Sequence, residues 1–193
     1  GISSIAGVKA ANEAGIPVIV TDHHLPGDEL PDAAAIVNPN VPGDQFPGKA
    51  TAGVGVIFYL LLGLRAHLRE QDWFGKQQLA EPNMAGYLDL VALGTVADVV
   101  PLDANNRILV HQGLARIRAG HCRPGITALL EVAGRNPASA SAADMGFAVG
   151  PRMNAALRLD DMSVGIEFLL ADTIKQARQY SVQLNGLNPY RRQ

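Results

Sequence analysis

An aspartate followed by two histidines, Asp22-His23-His24, stands where the apolar run Ile16-Pro17-Val18-Ile19-Val20 gives out. A carboxylate and two imidazoles delivered at the C-terminal end of a buried strand are well placed for metal-assisted phosphate chemistry. Imidazole suits borderline transition metals and carboxylate suits harder ions, so a mixed site points to Mn²⁺, Zn²⁺ or Fe, and phosphate substrates favour Mn²⁺ or Mg²⁺. On extended backbone, successive side chains point to opposite sides. The two imidazoles are therefore expected to part, His23 to a metal and His24 to a substrate phosphate or to the surroundings of the ion. Asp22 is placed to orient an imidazole by accepting its N–H, as commonly accompanies metal-bound histidine. A second acidic candidate, Asp98, ends the stretch Leu90-Val91-Ala92-Leu93-Gly94-Thr95-Val96-Ala97. A carboxylate in so apolar a context must be paired, hydrogen-bonded or metal-bound. The purely structural alternatives are a polar strand end with solvated histidines for the triplet, and a helix N-cap or ion pair for Asp98. These four residues do not complete a two-metal site, which needs bridging carboxylates, so the remaining ligands are expected from outside the chain.

The elements that must carry these residues follow from pattern. Residues 3–14 read as a helix with a serine N-cap, stopped by Gly15. Residues 16–20 form a short continuous apolar run, the signature of a strand buried on both faces of a parallel sheet. Residues 33–37 read as a second strand ending at Asn38-Pro39-Asn40. The order helix, strand, loop, strand predicts an α/β fold: a partial parallel sheet followed by a mainly helical region. Ligands of such sheets collect at the C-terminal strand ends, where Asp22-His23-His24 lies. From Thr51 the pattern becomes helical, with helices expected over 52–68, 84–93, 105–118, 124–133, 141–148, 163–170 and 173–185. Gly53, Gly55 and Gly63 cost helix propensity in the first of these unless they permit close packing. The stretch 134–141 reads as a long surface loop. Two domains are expected, a catalytic one over 1–160 and a helical connector over 161–193.

Composition places the chain among globular proteins, since apolar residues make up 48% and charged residues 18% of its 193 positions. No apolar run reaches membrane-spanning length, because residues 54–64 are interrupted by glycine and lead into Arg65-Ala66-His67. No secretory signal is present, and the single cysteine, Cys122, excludes an internal disulfide. The net charge of −2 conceals an asymmetry: residues 1–103 hold 5 Lys/Arg against 12 Asp/Glu, whereas residues 104–193 hold 11 against 6. An acidic half able to hold cations, joined to a basic half, suits a polyanionic substrate. Arg107, Arg116, Arg118 and Arg123 read more readily as a solvated basic face than as direct contacts to such a substrate. A start at Gly1 without methionine and an end in Pro189-Tyr190-Arg191-Arg192-Gln193 read as an internal piece of a longer protein.

Four segments together carry a resemblance. They are Ile19-Val20-Thr21-Asp22-His23-His24, Ile36-Val37-Asn38-Pro39-Asn40, Gly94-Thr95-Val96-Ala97-Asp98-Val99-Val100-Pro101-Leu102 and Gly150-Pro151-Arg152-Met153-Asn154-Ala155-Ala156. With them the chain resembles the DHH phosphoesterase superfamily along nearly its whole length, and within it the bacterial single-strand-specific exonuclease branch. The resemblance implies two Mn²⁺ or Mg²⁺ ions that activate water to hydrolyse single-stranded DNA from its 5′ end to 5′-mononucleotides, in DNA repair and recombination. It carries metal ligation to His23 and Asp98, places His24 near the scissile phosphate with Asp22 in support, and puts Arg152, Asn154 and Arg158 toward substrate phosphates. It further implies a bacterial cytoplasmic setting, no membrane, and single-strand-binding protein as a further partner. The family's Asp-x-Asp motif and second aspartate are expected upstream of Gly1, so the chain should hold half of a metal site and be inactive alone. Leu157 stands where the family has glycine, a departure expected to tighten a loop over 152–158. Other functions compatible with the same residues are a phosphodiesterase for short oligonucleotides or cyclic dinucleotides, and a non-catalytic DNA-binding scaffold.

Overall fold

A helix broken by glycine, followed by a strand, is what the opening residues build. Helix α1 (Ile5–Glu13) starts after Ser4, whose side chain makes no capping bond to the helix. It ends where Gly15 takes φ +72° and the Ile16 amide turns back to the Ala11 carbonyl. That left-handed position costs glycine nothing and other residues a good deal. The computed structural model describes residues 1–156 and 163–186. These form two compact units, one of Gly1–Met84 with Val100–Asn106, the other of Ala85–Val99 with the chain from Arg107 onward.

In the first unit, strands β1 (Ile19–Thr21) and β2 (Ala35–Val37) pair in parallel, with Ile19 opposite Ala35 and Thr21 opposite Val37. The strand expected over 16–20 thus begins later, since Pro17 has no N–H to give to a ladder. It is also not buried on both faces: Val20 is buried, but Ile19 is 65% exposed. Among the described residues β1 pairs only with β2, and a three-residue strand with one neighbour turns a single side chain inward. Helix α2 (Gly53–Glu70) then packs against β1. A Cβ on Gly63 would meet nothing within 4 Å, so close packing does not account for that glycine. The five-residue helix α3 (Trp73–Gln77) was not foreseen, being too short to show a period. Asn106 ties the segment after Val100 into this unit by donating to the carbonyls of Ala50 and Pro101.

The second unit is helical. Helix α4 (Leu88–Ala97) is apolar apart from Asp89 and Thr95 and buries Val91, Ala92 and Leu93. A Cβ on Gly113 would fall 2.2 Å from the Leu88 carbonyl oxygen, so glycine lets helix α5 (Ala104–Arg118) touch the backbone of α4. Helix α6 (Pro124–Val132) opens with proline at its first turn and buries Ile126, Leu129 and Leu130 against Val110, Leu114 and Ile117. The segment 134–141 is more ordered than a surface loop, because Asn136 caps a 3₁₀ turn and Ala140 is fully buried. A capping box at Ser141 and Asp144 then starts a continuous helical run: α7 (Ala142–Asp144), a π-helical turn over Met145–Val149, and α8 (Gly150–Ala156). Helices α9 (Ser163–Leu169) and α10 (Ile174–Gly186) complete it, Phe168 of α9 being fully buried. The architecture is α/β, a small parallel sheet followed by a mostly helical remainder. Among the described residues no helix is long and apolar enough to cross a membrane.

Candidate metal centre

Strand β1 stops at Thr21 because Asp22 diverts the chain. The Asp22 amide still donates to the Val37 carbonyl, continuing the ladder one step. Its carboxylate then takes over: Oδ1 accepts the amides of His23 at 2.7 Å and His24 at 3.1 Å, and Oδ2 accepts the amide of Ile2 at 2.6 Å. With both histidine amides folded onto one oxygen, the backbone is no longer extended. The expected parting of the two imidazoles therefore does not occur, and their ring centres lie 4.3 Å apart, tilted by 47°. Each of Asp22, His23 and His24 offers one ligand atom, and these atoms all lie within 4.8 Å of one another. One carboxylate and two imidazoles so close form a donor set suited to a borderline divalent ion.

Asp22 also fixes His24. Its Oδ1 lies 2.7 Å from His24 Nδ1. Burial pushes the Asp22 carboxyl up, but the amides of Ile2, His24 and His23 and the His24 imidazole together outweigh it and hold the group well below the usual carboxylate range. An ionised carboxylate only accepts hydrogen bonds, so Nδ1 of His24 carries the proton in that contact and Nε2 is the nitrogen not engaged by Asp22. The His24 side chain is 72% exposed and that of Asp22 only 11%, so a rooted carboxylate presents an accessible imidazole.

The carbonyls of the two histidines are held from the other strand. Asn40 Nδ2 donates to the His23 carbonyl at 2.6 Å, and Asn38 Nδ2 donates to the His24 carbonyl at 2.9 Å. Gly53, the first residue of α2, lies beside the His23 ring, where a Cβ would make ordinary contact at 3.4 Å from His23 Cδ2. In the sequence Asn38 and Asn40 mark the end of the second strand and part of the resemblance, and neither points to a role at the site. Their place comes from the register: a parallel pair ending in Thr21 and Val37 puts Asp22 level with Asn38.

Asp98, Arg152 and Asn154 lie in the helical unit. Asp98 is not enclosed by the apolar stretch before it. Helix α4 ends at Ala97, Asp98 caps its C-terminus, and the side chain is exposed. Val99 follows with φ +59° and 86% exposure, a left-handed conformation that is an outlier for a β-branched residue and marks a strained turn beside the carboxylate. Arg152 and Asn154 lie on helix α8 and not in the loop expected over 152–158. Arg152 Nη1 donates to the Ala148 carbonyl at 2.7 Å, and Asn154 is exposed. The start of α8 packs on the end of α4, a Cβ on Gly150 falling 3.4 Å from Ala97 Cβ. Leu157 and Arg158 lie outside the described residues.

Two of the four additional arginines are structural. Arg123 pairs with Asp89, whose side chain is 1% exposed, and lies over the Tyr87 ring. Arg118 Nε donates to the Ala140 carbonyl at 2.7 Å. Asp89 itself, a buried carboxylate in the first turn of α4, escaped the sequence reading because nothing local announces its partner 34 residues away.

Residues 1–95 match the DHH family, N-terminal domain. The single-stranded-DNA-specific exonuclease RecJ of Dickeya dadantii is 65% identical over 193 residues, all of this chain and 34% of that protein. Among solved structures, RecJ from Thermus thermophilus in complex with Mn²⁺ matches 99% of the chain and 27% of its own, with 36% identity and a TM-score of 0.77. The Mg²⁺ complex of RecJ from the same organism matches 92% of the chain and 24% of its own, with 34% identity and a TM-score of 0.66. The chain spans about one third of the length of the curated relative it matches.

Proposed function

We propose that this chain, whose residues 1–95 match the DHH family and whose whole length aligns with RecJ exonucleases, supplies part of the catalytic core of a metal-dependent exonuclease. The enzyme hydrolyses single-stranded DNA from its 5′ end to 5′-mononucleotides, in DNA repair and recombination. The observation that carries this reading is the Asp22-His23-His24 cluster, whose ligand atoms lie within 4.8 Å of one another at a strand end. Mn²⁺ or Mg²⁺ is the cofactor, two ions in the complete enzyme, in line with the Thermus thermophilus complexes. When bound, such ions neutralise developing charge and lower the pKa of the attacking water.

The chain's own residues divide the remaining work. His23 and Asp98 are metal ligands. His24 faces the scissile phosphate through Nε2, held in that tautomer by Asp22 at Nδ1. Arg152, Asn154 and Arg158 serve the substrate phosphates, guanidinium being matched to them by its fork geometry. The catalytic domain extends over 1–160, and 161–193 is the connector beyond it. The setting is a bacterial cytoplasm, with single-strand-binding protein as a further partner.

The test is a nuclease assay of the full-length protein carrying this chain, with single-stranded and duplex DNA of one sequence, beside His23→Ala. The expected result is mononucleotides from the single strand alone. The variant should lose at least about a hundredfold in rate, a direct ligand mattering no less than the outer-shell groups that orient one. Equal attack on duplex DNA, or full activity without His23, would overturn the proposal.

A further inference from the structure

We infer that Asn38 and Asn40 are positioning residues for the metal centre, acting through the backbone of His23 and His24. The inference rests on the proposed metal-dependent function. Each histidine has its peptide unit gripped on two sides. Their amides go to one oxygen of Asp22, and their carbonyls go to Asn40 and Asn38 at 2.6 and 2.9 Å. An imidazole follows its own backbone through two side-chain torsions, so fixing both peptides fixes where the rings can reach. None of these four bonds uses a ring nitrogen.

The frame is itself braced. Asn38 is 2% exposed, and its Oδ1 accepts the Asn40 amide at 2.9 Å, which sets the second asparagine relative to the first. Pro39 between them has a locked φ, and its carbonyl accepts Lys49 Nζ at 2.6 Å. The same ammonium reaches the Asp44 carbonyl at 2.9 Å, and Asn40 Nδ2 also reaches the Lys49 carbonyl at 3.2 Å. A chain of this kind behaves as one rigid turn. Ligands must be held within about half an ångström of their working positions for an ion to bind well, and outer-shell groups that do the holding are typically worth about 10–100-fold in metal affinity.

Asn40→Ala in the full-length protein is the direct test, with Mn²⁺ binding read by calorimetry and Mn²⁺ activation of single-strand cleavage read in parallel. Mn²⁺ affinity should fall by about 10–100-fold, and raising Mn²⁺ should restore cleavage to within a fewfold of the parent. Rescue by the ion, together with urea unfolding of the metal-free variant that matches the metal-free parent, separates positioning from simple damage to the fold, which Mn²⁺ would also offset by binding the native state. An unchanged Mn²⁺ affinity would overturn the inference, as would a loss that excess Mn²⁺ cannot restore. A parent protein that neither binds Mn²⁺ nor cleaves single strands would instead mark failure of the proposed function.

Discussion

Replacing Asp22 should destabilise the protein through its backbone bonds and not only through lost chemistry. The carboxylate accepts three amides, from Ile2, His23 and His24, and a contact from the His24 ring. Hydrogen bonds to a charged acceptor contribute about 1.5–3 kcal/mol each, and a partner left unsatisfied in a half-buried setting costs similar amounts. Water can replace the bonds on the exposed His24 side, so the Ile2 and His23 amides dominate. Asp22→Ala should therefore cost about 2–4 kcal/mol. Asp22→Asn keeps one accepting oxygen but turns an NH₂ toward an amide donor, and should cost about 1–2 kcal/mol.

The acid dependence gives a second, independent readout. The folded carboxyl lies well below the unfolded value of about 3.9. On lowering the pH the unfolded chain takes up this proton first. The stabilisation is thus complete above about pH 5 and drains away as pH falls through the unfolded value toward the folded one. Urea unfolding followed by circular dichroism at about pH 7 and about pH 3 should show Asp22→Asn less stable at the higher pH and closer to the parent at the lower. An Asn variant as stable as the parent at neutral pH, with an unchanged acid slope, would refute the role assigned to this carboxylate.

Gly113→Ala should destabilise by about 2 kcal/mol or more despite alanine's better helix propensity, because the added methyl meets the Leu88 carbonyl, backbone that cannot yield; a thermal scan showing a gain would contradict the close α4–α5 approach. Arg123→Ala leaves Asp89 buried with only its amide donors, and should cost about 3 kcal/mol in urea unfolding; a loss under about 1 kcal/mol would mean that the pair is energetically idle. Val99→Gly relieves a left-handed β-branched residue that buries almost nothing, and should stabilise by about 0.5–1 kcal/mol after glycine's entropy is counted. Destabilisation by that change would argue against strain at Val99.

The parts of the fold legible in the sequence were those with a long period or a local stop. Helices α2, α5 and α10 ran close to their expected spans, and Gly15 ended α1 where its left-handed turn allowed. The strands were legible in place but not in extent or exposure. Apolar content alone does not say how many neighbours a strand has, and Ile19 lies open. At the site, the residue types were visible and the geometry was not. Alternation along a strand predicts diverging imidazoles only while the strand continues, and a side chain that collects the next two amides ends it. The apolar stretch before Asp98 marked a buried helix, but a helix can release its last residue to solvent at the C-cap, as α4 does. Asp89, in the first turn of that helix, was the carboxylate that the core had to neutralise.

Where the ion sits tests the account most directly. Anomalous diffraction at the manganese edge, from crystals of the full-length protein grown with Mn²⁺, should place a peak within coordination distance of a His23 ring nitrogen, with His24 Nδ1 still on Asp22. A manganese peak away from His23, or one that draws His24 Nδ1 off the carboxylate, would contradict it.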